Sequence, residues 1–314
     1  MDSVLESLPR GSRVAILRLR SLGDCVLTTP ALDLLKRARP DLHLAIVVED
    51  RFREIFEDNP DLSEIFAPQL ASVRRFRPQL CINFHGGTRS AWMTELSGAR
   101  FRAGFAHYRH EFVYNVRIPR AQEILHIERK VHTAEHLASA MFHLGVPASE
   151  IPRAKLAPPA TGHSPAARQA RITEGLAHYA VLHAVAATPE KTWHGAGFLA
   201  VAAHLREAGI EPIFIGAEAD DLSPFAAYRT IQGASLSEIK SLMSAATLFV
   251  GNDSGPAHMA AAFSVPCVVL FGPSDPEIWA PWRTAGQALT APGGIAGIAI
   301  ADVLTALDRL RVAA

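Results

Sequence analysis

Residues 248–271 read LFVGNDSGPAHMAAAFSVPCVVLF. An apolar run at 248–251 leads into Asn252, Asp253, Ser254 and Gly255, then into a small-residue helical stretch at 256–263, and a second apolar run fills 266–271. Continuous apolar runs, without alternation, fit strands buried on both faces of a parallel sheet. Pro256 suits the first turn of a helix, where its missing N–H has no intrahelical partner. The segment is therefore a strand-helix-strand unit.

Outward from it the same alternation recurs. Strands are expected at 179–184 and 212–215, with helices at 197–208 and 236–245. In the first half, strands are expected at 14–17, 44–48 and 80–83. The helices there fall at 29–38, with Leu32, Leu35 and Lys36 at helical spacing, and at 89–96 before Ser97-Gly98. A chain of 314 residues exceeds one ordinary core, and the proline-rich segment 150–165 is a natural linker. The reading is α/β: two tandem Rossmann-like doubly wound domains, residues 1–155 and 156–314, facing a central cleft. Such sheets take ligands at the carboxyl ends of their strands.

Charge and composition narrow the function classes. Lys plus Arg and Asp plus Glu both number 31, so no global positive field draws the chain to nucleic acid. Cys25, Cys81 and Cys267 are far apart and lack metal or disulfide-framework spacing. They read as small buried apolar residues. The N-terminal MDSVLESLPRGSR lacks the basic end and apolar run of a signal peptide, so a cytoplasmic protein is expected. The apolar stretch 257–271 is interrupted by His258, Ser264 and Pro266, and no membrane-spanning helix is expected.

The chemistry-bearing residues sit at predicted strand ends. Ser21-Leu22-Gly23-Asp24 follows the first strand and precedes a helix expected to begin near Thr28. Gly23 would let backbone approach a ligand, and Asp24 either takes a proton from an attacking hydroxyl or caps the helix. The spacing alone does not separate these two roles. In Asn252 to His258 the N–H groups of Ser254, Gly255 and Ala257 at a helix start suit a diphosphate, against the plainer reading of an Asp or Ser cap. Lys191, in Thr188-Pro189-Glu190-Lys191-Thr192-Trp193, could neutralise phosphate charge from the neighbouring strand end. Asp220, after the strand at 212–215, suits the two hydroxyls of a ribose, whereas Asp221 reads as a helix cap. Arg51, Arg53, His85, Arg89, Arg109 and Lys130 could meet an anionic acceptor, with His85 and Arg89 standing out because they directly follow a strand. His132 and His136 have a spacing that can bind metal, but with no third ligand they read as structural.

Four segments together carry a resemblance: ILRLRSLGDCVLTTPAL, INFHGGTRSAWMTELSGARFRAGF, EKTWHGAGFLAVAAHL and LFVGNDSGPAHMAAAFSVPCVVLFGPSDPEIWAPW. In this order and separation the chain resembles glycosyltransferase family 9, the ADP-heptose:lipopolysaccharide heptosyltransferases. The resemblance implies a glycosyltransferase B fold, with an acceptor-binding first domain and a sugar-nucleotide-binding second domain. It implies inverting, metal-independent transfer of a sugar, heptose from ADP-heptose, onto a lipopolysaccharide-core or related glycolipid acceptor. Asp24 matches the general base, with Gly23, His85 and Arg89 on the acceptor side. Lys191 matches the phosphate-binding lysine, Asp220 the ribose acid and Asp253 the residue contacting the donor sugar. Ser254, Gly255 and Ala257 match the diphosphate loop, with His258 beside it and Thr188 in the neighbouring loop. The nucleotide sugar is a substrate, and no resident cofactor or metal is implied. A monomer is expected, with peripheral contact at the inner membrane accompanying a lipid acceptor.

The chain departs from the family in one place. Where family members commonly carry His-Pro-Gly-Ala, this sequence has His183-Ala184-Val185-Ala186, which removes a glycine from that loop. Two other readings stand beside the transferase: a sugar-nucleotide epimerase of the same architecture, for which no additional acid and base segment is visible, and a catalytically silent nucleotide- or glycan-binding relative.

Overall fold

The computed structural model describes residues 3–159 and 173–312. It divides into two compact units, Met1–Ala157 and Pro158–Ala314. In the N-terminal unit the strands are β1 Arg13–Leu17, β2 His43–Val47, β3 Glu64–Phe66, β4 Leu80–Asn83, β5 Phe101–Phe105 and β6 Val116–Ile118. Those of the C-terminal unit are β7 Tyr179–His183, β8 Glu211–Gly216, β9 Arg229–Gln232, β10 Leu248–Asn252, β11 Cys267–Leu270 and β12 Gly286–Leu289.

Each unit holds one six-stranded sheet, ordered β3-β2-β1-β4-β5-β6 in the first and β9-β8-β7-β10-β11-β12 in the second. The recorded pairings are parallel throughout. Counted within each unit, both sheets run 3-2-1-4-5-6, the doubly wound order of a dinucleotide-binding fold. The order reverses between β1 and β4 in one sheet and between β7 and β10 in the other. At each reversal the connections leave to opposite faces and open a crevice at the strands' carboxyl ends.

The central strands carry the apolar runs that the alternation leads one to expect. Val14, Ala15, Leu44, Ala45, Leu80, Cys81, Val181, Phe249 and Val268 are all fully buried. The three cysteines are free and buried. β3, β5, β6, β9 and β12 are additional to the strands foreseen. β3, β6, β9 and β12 lie at sheet edges, where backbone pairing needs no apolar run and one flank faces away from the sheet. β5 is interior, but Arg102 and Gly104 break its apolar pattern.

The first helix corrects the sequence reading. It spans Leu22–Ala38, starting well before the expected Thr28. Pro30 resembles a first-turn proline but lies inside the helix. It cannot donate to the Val26 carbonyl, and the Thr29 hydroxyl donates there instead at 2.8 Å. The same Thr29 oxygen accepts from the Lys155 N–H at 3.0 Å, while Lys155 Nζ reaches Asp33 Oδ2 at 3.1 Å. The chain at Lys155 is therefore packed on the N-terminal unit, although it falls in the proline-rich stretch read as linker. Residues 160–165 of that stretch lie outside the described residues.

Among the described residues no helix is long and apolar enough to cross a membrane.

Candidate active site

In the N-terminal unit the site residues gather where the chain leaves β1 and β4. Because the helix begins at Leu22, Asp24 lies in its first turn. Asp24 Oδ2 accepts from the Ser21 N–H at 3.2 Å and from the Ser21 hydroxyl at 2.9 Å. Asp24 thus does brace the helix start, as the plainer alternative held, and its carboxylate remains 22% exposed. Its other oxygen lies 3.4 Å from Nη1 of Arg18. Gly23 is buried within the same first turn.

His85 comes to this cluster from β4. Its imidazole is held below the ordinary range, first by burial and then by the charges of Arg18 and Arg20, with Asp24 opposing them. The loop that carries it is organised by Asn83, which is fully buried at the end of β4. Asn83 Oδ1 accepts from the N–H groups of His85 and Gly86 at 2.9 and 3.1 Å. Its Nδ2 donates to the Tyr114 hydroxyl at 2.9 Å. Gly86 is required there: its φ is +71°, and a Cβ would sit 2.8 Å from the Tyr108 ring.

The other basic candidates are engaged elsewhere or lie on the surface. Arg89 donates to the Pro68 carbonyl rather than joining Asp24. Arg51 pairs with Glu49 at 2.7 Å and Arg53 with Glu57 at 3.3 Å. Arg109 and Lys130 are exposed. His132 caps the helix Thr133–Leu144 by accepting from Ala134 N–H at 3.1 Å. His136 stacks on Phe105 at 4.0 Å between ring centroids.

In the C-terminal unit the equivalent place is the end of β7 and β10. Lys191 Nζ lies 3.4 Å from Asp253 Oδ2, so the two loops singled out from sequence do meet. Lys191 closes a short 3₁₀ turn, Pro189–Lys191, with Thr188 immediately before it. Gly272 lets that turn lie against the end of β11, since a Cβ there would run into the Glu190 carbonyl.

Ser254 occupies the N-cap position of the helix Gly255–Ala262 but makes no capping bond. Its hydroxyl turns instead to His183 Nδ1 at 3.0 Å. Burial pushes the His183 imidazole down to about 4, with Asp220 opposing, so it is neutral at ordinary pH. The Ala257 N–H, read from sequence as a free donor, is already bonded to the Ser254 carbonyl at 3.2 Å in the tight first turn. Ser254 and Gly255 are the better amide donors of the loop. His258 is buried in the helix, 4% exposed.

Asp220 Oδ2 accepts from the Ala217 N–H at 2.7 Å, closing the turn after β8 and leaving its second oxygen for another donor. Asp221 accepts from the Ser223 N–H at 2.9 Å two residues on, but the N-cap of the short 3₁₀ turn Ser223–Phe225 is Leu222, so Asp221 is not the helix cap it was read as.

Sequence reasoning missed Arg18, Asn83, the loop-organising role of Asn252 and the His183–Ser254 bond. Arg18 was hidden inside an apolar strand exit. The two asparagines carried a usable signal, because a polar residue closing a fully apolar strand must find buried partners.

Residues 71–292 match the model of glycosyltransferase family 9 (heptosyltransferase). The chain is 25% identical to lipopolysaccharide heptosyltransferase 3 of Escherichia coli, over 93% of this chain and 97% of that protein. It superposes on a solved family 9 glycosyltransferase from Veillonella parvula with a TM-score of 0.85 at 21% identity, covering 96% of this chain and 98% of that one. Against the E. coli ADP-heptose LPS heptosyltransferase II the TM-score is 0.79 at 18% identity, with coverage of 96% and 100%.

Proposed function

The chain belongs to glycosyltransferase family 9 and has its two-unit glycosyltransferase B fold, and from that premise we propose that it transfers heptose from ADP-heptose to a lipopolysaccharide-core or related glycolipid acceptor. The observation that carries the donor side is the 3.4 Å approach of Lys191 to Asp253 beside the Ser254–Gly255 helix start, at the strand-order reversal of the C-terminal sheet.

In this reading the diphosphate of the donor lies against the amides of Ser254 and Gly255, and Lys191 supplies the countercharge. Asp253 contacts the sugar, and the second oxygen of Asp220 holds the ribose hydroxyls. Thr188 and His258 border the donor. The N-terminal unit binds the acceptor, with His85 beside the reacting hydroxyl and Arg89 further out. Asp24 takes the hydroxyl proton as the oxygen attacks the anomeric carbon. The bond from that carbon to the diphosphate oxygen breaks, ADP departs with the electron pair, and the configuration inverts. Lys191 and the two amides stabilise the charge that builds on the leaving oxygen. No metal or resident cofactor is invoked in any step.

The protein acts as a cytoplasmic monomer in this scheme. For peripheral membrane contact, the face carrying Trp92, Leu96 and Phe112 is the best suited. These are 48%, 50% and 63% exposed, the large apolar side chains standing out among the described residues. Trp92 and Phe112 meet edge to face at 6.4 Å, and Arg89 lies one turn before Trp92. Aromatic rings with flanking arginine suit an anionic bilayer surface.

Calorimetric titration with ADP and UDP tests the donor assignment. Selective ADP binding is the expected result. Preference for UDP would overturn the ADP-heptose donor, and binding of neither would overturn the nucleotide-sugar site.

A further inference from the structure

Arg18 lies one residue past the end of β1, and its N–H continues the ladder onto the Val47 carbonyl at 3.1 Å. The side chain turns inward and is 6% exposed. Its Nε has no hydrogen-bond partner among the described residues. The ion pair recorded for its guanidinium is the contact with Asp24.

This is a poor arrangement for stability alone. A guanidinium offers five N–H donors, and a buried one loses its hydration at each. One contact at 3.4 Å and an unmatched Nε return little of that loss. An uncharged chain of similar length, such as methionine, would fill the space without it.

The groups around the pair leave the two charges facing each other. Cys25 and Tyr108 are pushed up to about 12 by burial and stay protonated. His136 is pushed down to about 4 and His85 is also lowered, in both cases chiefly by burial, so both rings are neutral near pH 7. Glu49 is engaged by Arg51 at 2.7 Å. Arg20 is exposed. Asp24 is thus the anion facing the buried Arg18.

We propose that Arg18 is a positioning residue for Asp24, its guanidinium on one carboxylate oxygen and Ser21 on the other holding the group in one orientation. The proposal rests on the reading of Asp24 as the base. Ser21 takes Oδ2 through two bonds, and Arg18 takes Oδ1. The carboxylate therefore has each oxygen assigned before any acceptor arrives, and the unmatched Nε is the stability given up for that.

The test reads Asp24 directly. Carbon NMR of aspartate-labelled protein at one fixed pH, with D24N assigning the resonance, gives the Asp24 carboxyl shift in wild type, R18M and R18K. R18M should move that resonance away from its wild-type position, whereas R18K, which keeps a charged donor, should stay near wild type. R18M should also fold with undiminished thermal stability. ADP release from ADP-heptose with a deacylated inner-core acceptor should show kcat lower by about tenfold or more in R18M. Its KM for donor should be unchanged, and R18K should recover most of the loss. If R18M does not fold, R18Q carries the same expectation. Undiminished kcat in R18M, with D24N inactive, overturns the role of Arg18 and leaves the base reading standing. Full turnover by D24N overturns the base reading, and with it any part for Arg18 in transfer, even if the resonance moves in R18M.

Discussion

The N–H of Trp193 donates to Oδ1 of Asn252 at 3.0 Å, and Nδ2 of the same carboxamide donates to the Ala184 carbonyl at 3.0 Å. One fully buried amide thereby ties the exit of β7 and the segment after Lys191 to the end of β10. Asn83 does the same for the loop after β4. Each asparagine closes the fourth strand of its sheet, so the two units solve one problem alike: both organise the reversal-point loop from a buried side chain. Asn252→Ala should cost about 2–4 kcal/mol, because a buried N–H and a buried carbonyl lose their partner together. Urea denaturation checks the stability, and ADP calorimetry should show weaker binding as the Lys191 turn loosens.

Lys191→Ala should weaken ADP binding by about ten- to a hundredfold, the span for a lost charged hydrogen bond of roughly 1.5–3 kcal/mol. Because Lys191 is 35% exposed, its loss should change folding stability little. Calorimetry on the variant decides the matter, and unaltered ADP affinity would remove Lys191 from the phosphate site.

Asp24→Ala should keep ADP affinity and lose about 10²- to 10⁴-fold in kcat, as expected for a base used only in the transition state. Parallel ADP titration and ADP-release assays separate the two effects. A matching fall in affinity would instead mark Asp24 as a structural brace of the helix start.

Acid should destabilise the fold in a defined window. Burial holds His136 and His183 at about 4, below their ordinary value of 6.5. The unfolded chain binds protons first, so the stability linked to each ring is complete above about pH 6.5 and is lost as the pH falls toward 4. Each contributes at most ~3 kcal/mol. His136→Phe preserves the stacking on Phe105 without the titration. Urea midpoints between about pH 7 and about pH 4.5 should therefore fall less in that variant than in wild type.

Trp92→Ala with Phe112→Ala should lower sedimentation with phosphatidylglycerol-containing vesicles by about tenfold while leaving ADP binding intact. Equal sedimentation of variant and wild type would show that this face does not meet the bilayer.

What the sequence determined by itself is the material of the two sheets and the kind of residue at their exits. Apolar runs such as 14–17, 80–83 and 248–251 cannot be left in water, and their length and spacing make a parallel α/β arrangement the natural way to bury them. Gly255-Pro256 after Asp253-Ser254 marked a helix start, and the helix does begin there. Tertiary structure decided the rest. Lys191 and Asp253 are separated by 62 positions, and only the β7–β10 pairing brings them together. Whether Ser254 caps its helix or turns to His183 is settled by a partner 71 positions away. The edge strands form because a neighbouring backbone offers hydrogen bonds to almost any side-chain pattern. Arg18 is buried because the β1 exit is packed on both faces, Leu17 and Leu19 included, and this sets its guanidinium against Asp24. Local sequence carries periodicity and capping, whereas ion pairs, register and desolvation depend on which distant segments the sheet order places side by side.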